Sequence, residues 1–245
     1  LFVGQPITAI YDYEKIGIWQ LGEDAAAYGQ QPGQIKFRDV DNNGVIDAED
    51  RKIIGSQQAD WQGGITNRFT WKGFDLSFVV YIRQGGTLLS YLHAPNGAYL
   101  TNLTGQRSGL KVDYWTPDNP TNEFPAPGAA LPGGASTGWT TLAYYDASFA
   151  RVRAINLGYN IPKSLASRIK AQNARVYLTA QNPFLLWSPY VFKHNGVDPE
   201  PTGQGATGIV ATGGNFRTGG NNPALVISAS TPPTRSFIVG LNLTF

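Results

Sequence analysis

Hydrophobic and polar residues alternate along several stretches of this chain, most clearly in its last eleven residues, 235–245. One set of alternate positions there is apolar: Phe237, Val239, Leu241, Leu243 and Phe245. Alternation with a period of two is typical of a β-strand that has one apolar face. The segment also has the length, roughly 9–11 residues, with which a tilted strand crosses a bilayer. It therefore predicts a strand either of a transmembrane barrel or of a soluble β-protein.

The same period predicts five further strands, at 4–13, 61–71, 74–83, 145–160 and 173–182. The dipeptide Lys72-Gly73 is a tight-turn signal, so the strands on either side of it are predicted to form a hairpin. In the strand at 145–160 the alternation is clear only in the second half. Arg151 and Arg153 occupy positions where the apolar face would otherwise continue.

Long and short connections join the predicted strands in turn. The long ones are near 14–60, 84–145 and 183–234, and the short ones are Lys72-Gly73 and 161–172. Outer-membrane barrels have short periplasmic turns and long extracellular loops, and unstructured loops of this length are uncommon in compact soluble domains. We therefore predict an all-β chain, residues 1–245, that forms part of a transmembrane antiparallel barrel with three extracellular loops. Six strands cannot close a barrel alone, so we expect several chains or the end of a longer one.

The composition of the chain mainly excludes certain classes of site and partner. The chain has 245 residues, no Cys, no Met and a formal net charge of +2. Without Cys there is no disulfide framework, thiolate metal site or Cys nucleophile. The small charge and the scattered basic residues indicate no nucleic-acid partner. No apolar run approaches the roughly 18 residues of a transmembrane helix.

The segment Asp39–Asp50 matches the spacing of a twelve-residue calcium-binding loop. Oxygen-bearing side chains take positions 1, 3, 5, 9 and 12, glycine takes position 6, and a backbone carbonyl is available at position 7; the predicted ligands are Asp39, Asp41, Asn43, Val45, Asp47 and Asp50. Calcium takes about six to eight oxygen ligands on such a loop. No helix is predicted before the segment, so we expect a structural calcium ion that staples a long extracellular loop. The alternative is a solvated turn rich in Asp and Asn.

No group of residues predicts a catalytic site, so we expect no enzymatic activity. His93 and His194 are predicted to be surface histidines of long loops, because neither has a partner at ligand spacing. The pair Asp198 and Glu200 is spaced like two acids beside a proline in a solvated turn. A glycosidase pair is the less favoured interpretation.

Aromatic residues of the loops have three candidate roles: they stack on a ligand, form an interfacial belt, or pack the loops. The residues concerned are Trp19, Trp115, Trp139, Trp187, Tyr144 and Tyr190. Trp187 and Tyr190 follow a predicted strand directly and fit the belt best.

Taken together, these segments resemble the C-terminal portion of the SusC/RagA family of TonB-linked outer-membrane transporters of Bacteroidetes. The matching stretches are Gly4–Ile7, Tyr13–Trp19, Gly33–Asp47 with Asp50, Arg51, Ile54 and Gly55, Gly63–Asn67, Phe74–Ser77, Ala147–Tyr159, Val176–Tyr177 with Ala180–Asn182, Asp198–Glu200, and the final Phe245. The most specific of them is the acidic segment with its flanking residues.

The resemblance implies a chain about four times as long, with a barrel of about 22 strands and with an upstream plug domain and TonB-interacting N-terminus that are not present here. It implies location in the cell outer membrane, in contact with lipid, and TonB-driven import of a glycan or peptide. A SusD-like surface lipoprotein would be the partner. The alternative hypothesis is a secreted calcium-binding module for carbohydrate binding or adhesion. The two differ in whether the apolar strand face meets lipid or protein.

Overall fold

A computed structural model describes residues 2–90, 92–93, 112–129, 141–200, 226–227 and 233–245. The strands are β1 (Ala9–Tyr13), β2 (Lys15–Ile18), β3 (Ile35–Phe37), β4 (Arg51–Ser56), β5 (Trp61–Trp71), β6 (Phe74–Gln84), β7 (Thr87–Ser90), β8 (Tyr144–Asp146), β9 (Phe149–Asn160), β10 (Asn173–Trp187), β11 (Val226–Ile227) and β12 (Ser236–Thr244). The helices are α1 (Lys163–Ala166) and α2 (Pro189–His194). The predicted all-β class is confirmed. No helix among the described residues is long and apolar enough to cross a membrane.

A five-stranded antiparallel sheet in the order β12-β10-β9-β6-β5 is the main element. Its strands correspond to five of the six predicted from alternation. The predicted hairpin is present, and Lys72 and Gly73 have φ of 43° and 86°. Two positive φ values are what a type I′ turn between twisted strands requires. The turn lies at one end of the strands, where the connection that contains α1 also lies. The long connections leave from the opposite end of the strands.

The first predicted strand is not part of this sheet, which corrects the expected count of six. β1 pairs with β4 in a separate two-stranded sheet, and β2 pairs with β3. The segment 14–60, expected to be polar and irregular, therefore contains three short strands. The segment also shares a hydrophobic core with Tyr13 and with the segments 112–129 and 141–143; the core residues are Tyr13, Ile18, Ile35, Phe37, Trp115, Phe124 and Leu142. These apolar residues are too widely spaced along the chain to produce an alternating pattern.

One face of the five-stranded sheet is apolar across all five strands. A single cross-strand row contains Phe69, Leu76, Leu157, Leu178 and Val239. Four of these five side chains are exposed, Val239 to 75%. Soluble proteins rarely expose an apolar patch that extends over so many neighbouring strands. We call this surface the outer face.

Aromatic residues lie at both ends of the outer face. Trp71 and Phe74 lie beside the turn, and Trp61 and Trp187 lie where the long loops begin; all four are exposed. From Trp61 to Trp71 the strand rises by about 33 Å. At a barrel strand's tilt of about 40° this is a height of about 25 Å, the thickness of a barrel's apolar band between its aromatic girdles.

The opposite face, here called the inner face, is polar and cross-linked. Arg175 Nη2 donates to Asp75 Oδ2 at 2.6 Å, so the ion pair joins β10 to β6 across the intervening strand β9. Gly158 of β9 lies directly beneath this pair, where a Cβ atom would overlap the Asp75 carboxylate. Asn156 bonds to Thr179 at 2.8 Å and to Ser77 at 3.3 Å.

A β-bulge in β9 explains the broken alternation of that strand. Val79 pairs with Ala154 but Val80 pairs with Val152, so Arg153 is an extra residue. An extra residue inverts the facing of every residue on one side of it. Arg151 is consequently paired with Tyr81 on the inner face, and the guanidinium of Arg153 lies 4.7 Å from the Tyr81 ring centroid. Neither arginine interrupts the outer face.

Candidate functional site

The acidic segment brings three of its predicted ligands together. Carboxylate oxygens of Asp39, Asp41 and Asp50 all lie within 4.8 Å of one another. Gly44 has φ of 83° at the tight turn of the loop, and its N–H donates to Asp39 Oδ2 at 2.9 Å. Three carboxylates at this separation repel one another strongly, and a bound cation would remove that repulsion.

Asp47 and Asp50 also shape the end of the loop. Asp47 is the N-cap of a short 3₁₀ helix, Ala48–Asp50, and accepts from Glu49 N at 3.0 Å. Asp50, which is fully buried, accepts from Asp47 N at 2.9 Å and from Val40 N at 2.6 Å. Reciprocal capping of this kind satisfies donors at the start of the helix. The Asp47 carboxylate is thus used as a cap and does not join the group of three.

The other predicted ligands follow the same turn. The Asn43 side-chain oxygen accepts from Val45 N at 2.7 Å, and the backbone N–H of Asn43 donates to Asp41 Oδ1 at 3.1 Å. Val45 and Asn43 are therefore held on the loop beside the three carboxylates. The segment presents oxygen atoms of the kind that hard divalent cations prefer.

A second polar cluster lies at the loop end of the inner face. Arg151 Nη2 donates to both carboxylate oxygens of Asp198 at 2.5 Å, and Arg153 pairs with Glu200. The Arg151 side chain is only 3% exposed and that of Asp198 19%. The expectation that Asp198 and Glu200 form a solvated turn is therefore wrong, since both acids tie their loop to β9. The bulge at Arg153, which alternation alone does not reveal, brings the arginines to them.

His93 is the centre of a third cluster and is buried, contrary to the expected surface position. Its Nδ1 lies 2.6 Å from Ser90 Oγ and its Nε2 lies 3.0 Å from the carbonyl oxygen of His194. Ser90 Oγ lies 2.8 Å from the Tyr190 hydroxyl. Burial lowers the pKa of His93 to about 4. The ring is neutral at pH 7, and the cluster joins the segment after β7 to α2. His194, in contrast, is half-buried at the end of α2.

The loop aromatics divide among the roles considered. Trp19 and Trp115 are buried and pack the loops. Tyr190 is completely buried against Leu88 and Ala147, so its expected place in an interfacial belt is wrong. Trp187 is exposed at the loop end of the outer face. Trp139 lies outside the described residues.

A cleft of about 510 Å³ opens beside the two-stranded sheet of β1 and β4. Lys52 Nζ lies 2.6 Å from Glu14 Oε2 at its wall, and hydrogen bonds from Arg38 and Lys52 lower the Glu14 pKa. Tyr144 donates to Asp12 at 2.6 Å, and burial raises the pKa of Asp12. Two charged residues that line the cleft, Glu14 and Lys52, are therefore paired with each other, and the Tyr144 hydroxyl of the lining is bonded to Asp12.

Known proteins resemble this chain over nearly its whole length. TonB-dependent receptor P3 of Formosa agariphila is 30% identical over 251 aligned residues, which cover 99% of this chain and 22% of the receptor. TonB-dependent receptor SusC of Bacteroides thetaiotaomicron is 28% identical over 171 residues, 69% of this chain and 16% of SusC. No protein-family profile matches the chain.

Solved structures agree with the sequence relatives on the fold. The RagAB peptide importer in its closed-closed state matches with a TM-score of 0.62 and 23% identity, over 97% of this chain and 23% of the importer chain. Its open-open state matches with a TM-score of 0.61 over the same share of this chain. The chain spans less than a quarter of the length of the relatives and structures it matches. The sequence relatives are named as receptors and not as enzymes, in agreement with the prediction of no enzymatic activity. This chain belongs to the family of SusC-like TonB-dependent receptors.

Proposed function

We propose that these residues form part of the barrel wall and extracellular loops of an outer-membrane transporter. The transporter would import an oligomeric nutrient, a glycan or a peptide, with energy supplied through TonB. The observation that carries the proposal is the two-sided sheet. Its outer face is apolar over about 25 Å between aromatic ends, the dimension of a bilayer's apolar layer, and its inner face is polar. A secreted module would have to cover the outer face with protein, and none of the described residues covers it.

Two further parts of the proposal rest on the relatives. We propose that the whole protein acts with a SusD-like surface lipoprotein, since it is related to SusC and shares its fold with the RagAB importer. We also propose that residues 1–245 are the C-terminal part of its barrel. On this assignment the loops near 14–60, 84–145 and 183–234 face outside and the Lys72-Gly73 turn faces the periplasm.

Two neighbouring residues of β5 test which face meets lipid. Ile65 lies on the outer face and Thr66 on the inner face, both near the middle of the strand. Ile65→Arg should destabilise the full-length protein by about 2–4 kcal/mol, because an arginine at the bilayer midplane is costly. Thr66→Arg should cost less than about 1 kcal/mol, because the inner face is polar and an arginine there does not meet lipid. The measurement is urea unfolding of both variants in lipid vesicles, and equal costs for the two would contradict the membrane assignment.

We propose in addition that Asp39, Asp41, Asn43, Val45 and Asp50 bind one calcium ion, with Asp47 acting beside them through a water molecule or as a cap. The convergence of Asp39, Asp41 and Asp50 supports the proposal. Bound calcium would supply the positive charge at the centre of the three carboxylates and fix the loop structurally.

Removal of one carboxylate charge tests the calcium proposal. Asp39→Asn keeps the acceptor oxygen that receives Gly44 N but removes a charged ligand, so calcium affinity should fall at least about tenfold, since even outer-shell changes at metal sites cost that much. The matched control is Glu49→Gln, an exposed acid of the same segment outside the group. Isothermal titration calorimetry of the full-length protein measures both, and an unchanged affinity in Asp39→Asn excludes the site.

A further inference from the structure

The hydrogen bonds around His93 can run in only one direction. The carbonyl oxygen of His194 accepts only, so the His93 Nε2 that lies 3.0 Å from it must carry the proton. The neutral ring then has an unprotonated Nδ1, which accepts from Ser90 Oγ at 2.6 Å. Since the Ser90 hydroxyl donates to His93, it accepts from the Tyr190 hydroxyl at 2.8 Å. The proton order is therefore Tyr190 to Ser90 to His93 to the backbone of His194.

This chain of bonds joins segments that are far apart in sequence. Ser90 and His93 follow the sheet strand β6, while Tyr190 and His194 belong to α2 and follow the sheet strand β10. The His93 ring also lies against Tyr145 of β8, with centroids 4.7 Å apart, and against Phe124, with centroids 6.2 Å apart. Two long connections, 84–145 and 183–234, therefore meet at one imidazole.

Protonation of His93 is incompatible with this order. A proton on Nδ1 makes the imidazolium a donor at both nitrogens, so Ser90 Oγ can only accept from it. The Ser90 hydroxyl proton then loses its acceptor, or it turns to Tyr190 and displaces the Tyr190 proton. In either case one buried hydroxyl donor loses its partner in the cluster. A buried donor without a partner is costly, as is a buried charge.

No described acid makes a hydrogen bond or an ion pair with the His93 ring. The titratable groups that face the ring are Tyr145 of β8, Tyr190 and His194 of α2, and Glu123 of the segment 112–129, whose charge acts on Tyr145. Burial raises the pKa of both tyrosines, that of Tyr190 to about 12, so both are neutral. The charge of His194 further lowers the pKa of His93.

We propose that His93 is an acid-sensitive latch that fastens the segment after β7 to α2 while its ring is neutral and releases α2 when Nδ1 gains a proton. The latch depends on neither the membrane location nor the calcium site. The closed latch would hold the connections 84–145 and 183–234 together at neutral pH, and its opening would separate them in acid.

The sign and size of the pH dependence follow from the two states of the ring. In the closed latch the pKa of His93 is about 4, and in the open form it returns to about 6.5. The open form therefore binds more protons between these two values. As the pH falls from about 6.5 to about 4, the equilibrium constant for opening should rise about tenfold per pH unit, about 300-fold in all, and then level off.

Hydrogen exchange followed by mass spectrometry measures this opening in the full-length protein in detergent. The reporter is the peptide that covers α2, where Phe192 N and Gly196 N are bonded to backbone carbonyls. After correction for intrinsic exchange rates, its protection should fall about tenfold per pH unit between about pH 6.5 and 4. Peptides from the centre of β10 provide the reference and should show no such fall. Constant protection of α2 over this range would overturn the proposal.

Variants separate His93 from the other titrating groups. His93→Gln keeps a donor for the His194 carbonyl and does not titrate, so its α2 protection should be independent of pH; the same fall as in the native protein would overturn the latch. His194→Gln should retain the fall. If His93→Gln leaves α2 unprotected at every pH, its pH dependence cannot be measured, and the variant Ser90→Ala is used as the test instead. Ser90→Ala removes the hydroxyl but keeps the titrating ring, so the fall in α2 protection with decreasing pH should persist in it, and protection independent of pH would overturn the latch.

Discussion

Replacement of Tyr190 by Ala should raise the free energy of the native loops by about 3–5 kcal/mol, the usual cost of removing a fully buried aromatic ring. The ring is completely buried and packs on Leu88 and Ala147, and its centroid lies 5.3 Å from that of Tyr145. The truncation therefore leaves a cavity between α2 and the segment after β7. Hydrogen exchange of the α2 peptide in the full-length protein should show the loss as a rise in the opening equilibrium constant of roughly 100-fold or more.

Tyr190→Phe is the matched control for this truncation. It keeps the ring and removes only the hydroxyl that meets Ser90 at 2.8 Å. A single hydrogen bond contributes about 1 kcal/mol, so this variant should lose much less protection than Tyr190→Ala. If both variants lost the same amount, the packing of the ring would not be what holds α2.

Arg151→Met should cost about 3–5 kcal/mol in the attachment of the segment 195–200 to the sheet. The substitution leaves the Asp198 carboxylate, 19% exposed, without its positive partner, and an uncompensated buried charge is far more costly than an absent ion pair. Hydrogen exchange or limited proteolysis of the segment 195–200 would measure its release.

Two variants set the scale for this ion pair. Arg153→Met breaks the more exposed pair with Glu200, whose side chains are 33% and 29% exposed, and should cost no more than about 1 kcal/mol. The double variant Arg151→Met with Asp198→Asn removes both charges and should recover most of the loss. If the double variant were as unstable as Arg151→Met, packing by the arginine stem and not its charge would hold the segment.

The sheet could be predicted from the sequence because one physical rule governs each of its strands. A strand with lipid or core on one side and water on the other must alternate, and Phe74 to Gln84 and Ser236 to Thr244 do so with one apolar exception each, Val79 and Ile238. The turn was equally predictable, because Gly73 lies between two alternating segments and glycine tolerates the positive φ of a hairpin turn. The similarity of the chain to SusC-like receptors agrees with both.

The loops could not be predicted in the same way. Ile18 and Ile35 pack with Trp115, about a hundred residues further along the chain, and no local period records such a contact. The lack of a partner at ligand spacing predicted a surface position for His93, but its partners Ser90 and Tyr190 come from two connections that only the fold brings together. The acidic segment is the exception, because the spacing that defines a calcium loop is itself local, and the grouping of Asp39, Asp41 and Asp50 agrees with it.

Arg151 shows where alternation fails within a strand. Its position continues the apolar set of β9, but the extra residue Arg153 turns it inward. The signal available in the sequence was the pair of arginines itself, since two charges on a lipid face are so costly that a change of phase is the simpler explanation.

The bulge in β9 also determines which changes in chain length the receptor can tolerate. Loss of the extra residue, Arg153, would leave Arg151 opposite Tyr81 on the inner face. Gain or loss of one residue between Ala154 and Asn160 would instead turn Arg151 towards the lipid and separate it from Asp198, whereas residues added to or removed from the outer loops alter no strand phase. In evolutionary terms, the loops are free to diverge in length as well as in sequence. The count of residues in β9 on either side of the bulge is the quantity that selection has to preserve.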